Sequence, residues 1–231
     1  MEQLPLGVRL RAASTMASFH TGQNAGVVAA LEARAAATGL SPVWIFAAPG
    51  AGRTHLLQAT CALAGARGRR VGYLPLADLV GMPEIAAGFE QLEVVCLDDV
   101  DRVAGDAAWE SALFTLYNEL QERGGHLVMS ASAAPRATGI RLPDLASRLA
   151  ASIVFQVQPL AEADQGEALV GRARALGIDL PEDTLQYLQR RLPRDLATLC
   201  DALDTLDAAA LSAQRRLTVP FVRSVLQLGA E

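Results

Sequence analysis

Apolar residues follow two rhythms along this chain. Between residues 43 and 157, short unbroken apolar runs alternate with stretches of helical periodicity. The runs are Val43-Trp44-Ile45-Phe46-Ala47, Val71–Leu74, Glu93-Val94-Val95-Cys96-Leu97-Asp98, His126-Leu127-Val128-Met129-Ser130 and Ile153-Val154-Phe155-Gln156-Val157. Such runs, without polar alternation, suit strands covered on both faces of a parallel sheet. Between them, Arg53–Ala66 reads as a helix, and Trp109, Leu113, Leu116, Tyr117 and Leu120 share one helical face. Leu142–Leu149 reads as a further short helix. An alanine-rich helical stretch over 23–37 precedes the first run, and Gly39-Leu40-Ser41-Pro42 breaks the chain between them. Strands alternating with helices predict an α/β fold, a parallel sheet sandwiched by helices.

After Pro159 the rhythm changes. Residues 162–176, 181–191, 195–211 and 218–228 all carry helical patterns and no strand signal recurs. Asp179-Leu180-Pro181-Glu182-Asp183 reads as a helix start, with an early proline and first-turn acids. The expected organisation is a flexible N-terminal segment over 1–18, an α/β domain over 19–158 and a small all-α domain over 159–231.

Composition narrows this picture only a little. The 231 residues allow one large core with a smaller second one, and no apolar stretch reaches the roughly 18 residues of a membrane span. The first twenty residues lack the order of a signal peptide, so a cytoplasmic protein is expected. Cys61, Cys96 and Cys200 are widely spaced in apolar surroundings and read as free thiols rather than disulfide or zinc ligands. A net charge of −5, with basic clusters only at Arg67-Gly68-Arg69-Arg70 and Arg215-Arg216, argues against autonomous DNA binding.

The chemistry concentrates at Ala47-Ala48-Pro49-Gly50-Ala51-Gly52-Arg53-Thr54, between a buried strand and a helix. That is the setting of a P-loop, in which glycines let backbone N–H groups curl around phosphate oxygens at a helix N-terminus. Thr54 is placed to ligate Mg²⁺, and Arg53 stands where the consensus has a lysine that reaches the phosphates. Ala47 replaces the opening glycine, and an ordinary strand–turn–helix remains the other reading. Val94-Val95-Cys96-Leu97-Asp98-Asp99 is an apolar strand ending in paired acids, as in a Walker B segment. There Asp98 would hold Mg²⁺ through water and Asp99 would orient a water near a γ-phosphate. Turn or cap residues are the alternative for the two acids.

Together these segments resemble the AAA+ module of the bacterial replication initiator DnaA and, within that group, its Hda-like regulators. The resemblance runs over nearly the whole chain. It is carried by Ser18-Phe19-His20 with Asn24, Gly50-Ala51-Gly52-Arg53-Thr54-His55-Leu56-Leu57, Cys96-Leu97-Asp98-Asp99-Val100, Leu142-Pro143-Asp144-Leu145-Ala146-Ser147-Arg148-Leu149 and Leu217-Thr218-Val219-Pro220-Phe221-Val222. It implies an AAA+ sheet domain followed by a helical lid, with ADP or ATP bound by Pro49 to His55. Arg148 would be the trans-acting arginine finger, with Arg136 and Arg141 as weaker candidates. Arg194 would be the sensor 2 contact to the phosphates. Phe19, His20 and Asn24 would contact or frame the base. Ser130 and Ser132 fall in the sensor 1 region, where the initiator has an acid in place of Ser132.

Gln3-Leu4-Pro5-Leu6-Gly7-Val8 resembles the short clamp-binding motif of the Hda-like proteins, with Gln3, Leu4, Leu6 and Val8 as the contacts. The resemblance therefore implies a regulator that, with the DNA-loaded β sliding clamp of DNA polymerase III, promotes hydrolysis of ATP on DnaA and so restrains replication initiation. It would turn over little nucleotide itself, and self-association stays open. The alternative is an autonomous AAA+ ATPase such as a helicase loader. The initiator continues past its lid into a DNA-reading domain, whereas this chain stops at Glu231, so sequence-specific DNA binding is not expected.

Overall fold

The computed structural model describes residues 14–37, 41–193, 196–213 and 215–228. Five parallel strands form one sheet: β1 (Val43–Phe46), β2 (Val71–Pro75), β3 (Val94–Asp98), β4 (His126–Ala131) and β5 (Ile153–Gln156), in the order β2-β3-β4-β1-β5. Every predicted strand is present, with bounds moved by a residue or so.

Both faces of the sheet are covered, which is why its strands are apolar without alternation. Helices α1 (Ala25–Ala36) and α2 (Arg53–Ala66) bury Leu31, Leu56, Leu57 and Cys61 against Val43, Ile45, Cys96 and Val128. Helices α3 (Ala107–Glu122) and α4 (Pro143–Ala150) bury Trp109, Leu113, Leu120, Leu145 and Leu149 against Trp44, Leu97, Leu127 and Met129. Strand β5 departs from this pattern: it is an edge strand, and Ile153 and Val154 are exposed.

The remaining helices, α5 (Glu162–Ala175), α6 (Glu182–Arg191), α7 (Leu196–Ala213) and α8 (Val219–Val225), close around their own core of Leu169, Leu188, Leu199, Leu203, Leu206 and Phe221. The fold is thus the expected α/β sandwich followed by a helical lid. No helix among the described residues is long and apolar enough to cross a membrane.

One feature differs from the sequence reading. Residues 14–18 do not extend a flexible lead-in: Ser18 Oγ accepts from Thr15 N at 3.1 Å, closing a turn against the start of α2. Between β2 and β3, where the sequence names no helix, the chain makes three short 3-10 turns, and the covering helix on that side is α3. Cys61 and Cys96 are buried and Cys200 is half-buried, and no disulfide joins cysteines among the described residues.

Candidate functional site

Where β1 ends, the chain turns sharply before α2. Gly50 and Gly52 carry the turn with φ of 84° and 91°, a region where a side chain is strained. Gly52 is the N-cap of α2, so its turn leaves the first N–H groups of that helix facing outward. A Cβ on Gly52 would stand 2.9 Å from Phe19 Cε2, which lies across the turn. Outward N–H groups at a helix start are a backbone shape that suits an anion.

This turn opens onto a cavity of about 270 Å³ between the sheet domain and the lid. Gly50 to His55 form its floor, and Ser18, Phe19, His20 and Asn24 one wall. Leu160, Ala168, Arg172, Leu196, Cys200 and Asp201 close it from the lid side. The structure thus gathers most of the predicted nucleotide residues around a single space. Pro49 stands in the turn leading into it. Arg194 and the segment holding Gln3, Leu4, Leu6 and Val8 lie outside the described residues.

Asn24 is committed to protein. Its Nδ2 donates to Gln158 O at 3.0 Å and its Oδ1 accepts from Gln158 N at 2.8 Å. It therefore frames the cavity by tying the start of α1 to the chain leaving β5. His55 donates through Nε2 to Thr15 O at 2.9 Å and packs against Phe19. Burial, then the Arg172 charge, hold its imidazole below the ordinary value, against the pull of the Thr15 bond.

The acids at the end of β3 form a network. Asp98 is buried, and its two carboxylate oxygens accept from Tyr73 Oη at 2.7 Å and from Ser130 Oγ. Burial and the adjacent Asp98 carboxylate push the Tyr73 phenol well above its usual range. Ser130 Oγ also accepts from Asp99 N at 3.0 Å, holding Asp99 at φ 55°. Asp99 then accepts from Arg53 Nη2 at 2.9 Å. Burial and the neighbouring Asp98 charge raise the Asp99 carboxyl, and the Arg53 charge only partly offsets them. Arg53 Nη1 is buried with no partner. Ser132 is engaged elsewhere, donating to Asp101 Oδ2 at 2.6 Å.

This donor set suits a hydrated cation better than a bare one. Each Asp98 oxygen has a protein donor and one lone pair remaining, enough to accept from a metal-bound water. Thr54, exposed on the cavity floor, has the hydroxyl for direct ligation, as in other P-loops. No group of three or more His, Cys, Asp and Glu able to hold a metal occurs among the described residues.

Arg148 does not line the cavity. It is exposed near the end of α4, with its guanidinium carbon 5.1 Å from the ring centre of Phe114 and 5.7 Å from that of Tyr117. These α3 rings form a shelf that holds the cation outward. Arg136 and Arg141 are also exposed and absent from the cavity lining.

Two contributors escaped the sequence reading. Arg172 is a buried lid arginine that lines the cavity and is held by Asp204 of α7, its Nη2 donating over 2.8 and 2.7 Å. Glu110 is a buried acid on α3 whose hydrogen bonds reach the loop before α4. Neither has a local motif, because Asp204 lies 32 residues from Arg172, and Arg141 and Leu142 lie 31 and 32 from Glu110. The arginine of the P-loop is also less diagnostic than it looks. All 20 basic residues of the chain are arginine, so Arg53 follows general usage.

Comparison with known proteins adds two family matches. The model for the bacterial DnaA ATPase domain matches residues 10–156, and that for the Hda lid domain matches residues 162–226. Among solved structures the chain is similar to domain III of the Thermotoga maritima replication initiation protein DnaA, with a TM-score of 0.75 and 23% identity over 95% of this chain and 98% of that one. It is also similar to AMPPCP-bound DnaA from Aquifex aeolicus, with a TM-score of 0.68 and 20% identity over 89% and 68% of the two chains. The Thermotoga maritima RuvB Holliday junction branch migration motor matches at a TM-score of 0.61 and 17% identity over 90% and 69%. At these identities the structural likeness shows the fold alone.

Proposed function

The chain belongs to the bacterial DnaA ATPase-domain family, as an AAA+ protein with a lid of the Hda type, and on that footing we propose that it is a negative regulator of replication initiation acting on DnaA itself. It binds an adenine nucleotide, ADP in its working state, in the cavity between sheet domain and lid. The sliding clamp engages Gln3, Leu4, Leu6 and Val8, bringing the chain to DnaA on DNA. Arg148 then enters the nucleotide site of DnaA and stabilises the charge that develops on the γ-phosphate.

The observation that carries this reading is the placement of Arg148. An arginine outside its own cavity, exposed and supported on Phe114 and Tyr117, is of no use to the nucleotide beside it and suited to a neighbour's. The state of the chain's own site agrees. Asp99, the acid that would orient an attacking water, is paired with Arg53, and Ser132 is bonded to Asp101. Both count against turnover of the chain's own nucleotide. A bound Mg²⁺ would neutralise charge between the phosphates; Thr54 and Asp98 would hold it, Asp98 through water. Arg194 contacts the phosphates from the lid, and residues 159–231 act as the lid domain.

The test is hydrolysis of DnaA-bound ATP in the presence of DNA-loaded clamp, with this protein added as wild type, as Arg148→Ala, or without residues 3–8. The reading expects stimulation that collapses by about 10³-fold without the guanidinium and that also requires residues 3–8. Steady ATP turnover by this protein alone, with no effect on DnaA, would establish the autonomous ATPase instead.

A further inference from the structure

Glu110 lies away from the nucleotide cavity, yet it is one of the most buried acids in the chain, at 2% exposure. Its Oε1 accepts from Gly105 N at 2.7 Å and from Arg141 N at 2.9 Å. Its Oε2 accepts from Arg141 N at 3.1 Å and from Leu142 N at 2.7 Å. Burial pulls this carboxyl upward, but the three N–H donors outweigh it and hold the group below its ordinary value.

The beneficiary is helix α4. Leu142 is its N-cap and supplies no side-chain cap, and Pro143 at the first position has no N–H. A helix start of this kind needs an acceptor from elsewhere. Glu110 supplies it from α3. Phe114 and Tyr117 follow Glu110 at four and seven residues, on the same face of α3, and carry Arg148 at the other end of α4. One face of α3 therefore holds α4 at both ends.

We propose that Glu110 is a positioning residue, which caps α4 from α3 and thereby sets where Arg148 stands against a neighbour's nucleotide. The inference rests on the reading of Arg148 as a trans-acting finger. A guanidinium stabilises a transition state only over a narrow range of positions, so loosening α4 at its start costs rate without touching this chain's own nucleotide site.

The experiment measures hydrolysis of DnaA-bound ATP with DNA-loaded clamp and the full chain as wild type, Glu110→Gln, Arg148→Ala and the double variant. Binding of a fluorescent ADP analogue to each variant reports the integrity of its own site. The expected result for Glu110→Gln is a maximal stimulated rate lowered by about tenfold, with the half-saturating concentration and ADP affinity unchanged. The double variant then matches Arg148→Ala alone, because Glu110 acts through Arg148. Full stimulation by Glu110→Gln while Arg148 is still required overturns the inference, as does a double variant whose losses multiply. Full stimulation by Arg148→Ala overturns the finger reading itself. Should Glu110→Gln lose ADP binding, Leu142→Pro removes the Glu110 bond to the N-cap of α4 from the donor side, since Leu142 has φ −70°, which proline adopts, and an unchanged stimulated rate with that variant overturns the inference.

Discussion

The guanidinium of Arg53, in the first turn of α2, donates to the carboxylate of Asp99, just past the end of β3, over 2.9 Å. The cation that the proposed function assigns to phosphate is thus shared with an acid whose own ionisation is opposed by burial and by Asp98. A bound diphosphate must compete with Asp99 for Arg53, while the buried, unpartnered Nη1 remains for it. Asp99→Asn is expected to tighten ADP binding by about threefold to tenfold, and Arg53→Ala to weaken it by about 1.5–3 kcal/mol, the range for a hydrogen bond to a charged group. Titration of a fluorescent ADP analogue decides this; weaker binding by Asp99→Asn would show that the pair supports the site rather than competing for it.

Gly52 combines a φ of 91° with a Cβ position 2.9 Å from Phe19 Cε2. Gly52→Ala is expected to cost about 1–3 kcal/mol from the left-handed backbone alone and to displace Phe19 from the cavity. Adding Phe19→Ala relieves the contact but not the backbone strain. Thermal unfolding of the two variants separates the parts: full recovery in the double variant would place the whole cost in the contact.

The buried Asp98 carboxylate depends on Tyr73 and Ser130 for its hydrogen bonds. Tyr73→Phe leaves the shape intact and removes one donor, at an expected cost of about 1.5–3 kcal/mol. Ser130→Ala costs more, because the Asp99 N–H loses its acceptor as well. Chemical denaturation gives both values, and equal losses would show that the Asp99 bond contributes nothing.

Glu110 predicts the acid limb of stability. Its carboxyl is lowered in the folded protein, so its contribution is fully present above its unfolded value of 4.5 and is lost as pH falls through the lower folded value. Glu110→Gln should therefore be less stable than the wild type at neutral pH, by about 1–3 kcal/mol, and the two should converge as pH falls through the lowered folded value of Glu110. Denaturation midpoints at a series of pH values test this; a constant gap down to acid pH would remove the carboxylate charge from the explanation.

Local signals carried most of the fold and part of the site. The strands were legible because burial on both faces leaves an unbroken apolar run, as in Val43–Phe46 and Val94–Asp98. The glycine turn before α2 was legible because its geometry lies within eight consecutive residues, with glycine where φ is positive. Periodicity likewise placed the helical lid, whose amphipathic faces must find a core of their own.

Tertiary structure alone decided which distant residues meet. The strand order β2-β3-β4-β1-β5 puts Ser130 of β4 beside Asp98 of β3 and so builds a network that no spacing announces. Asn24 closes onto Gln158 across 134 residues, Arg53 onto Asp99 across 46, and Glu110 onto Arg141 across 31. Each of these is a polar group whose partner is chosen by how helices and strands pack, not by its neighbours in the chain. Hydrophobic periodicity reports which face of an element is buried and so writes the elements into the sequence, while the spaced glycines write the turn before α2. It carries no record of which buried polar atoms will come within 3 Å of one another, because that follows from the packing of the whole.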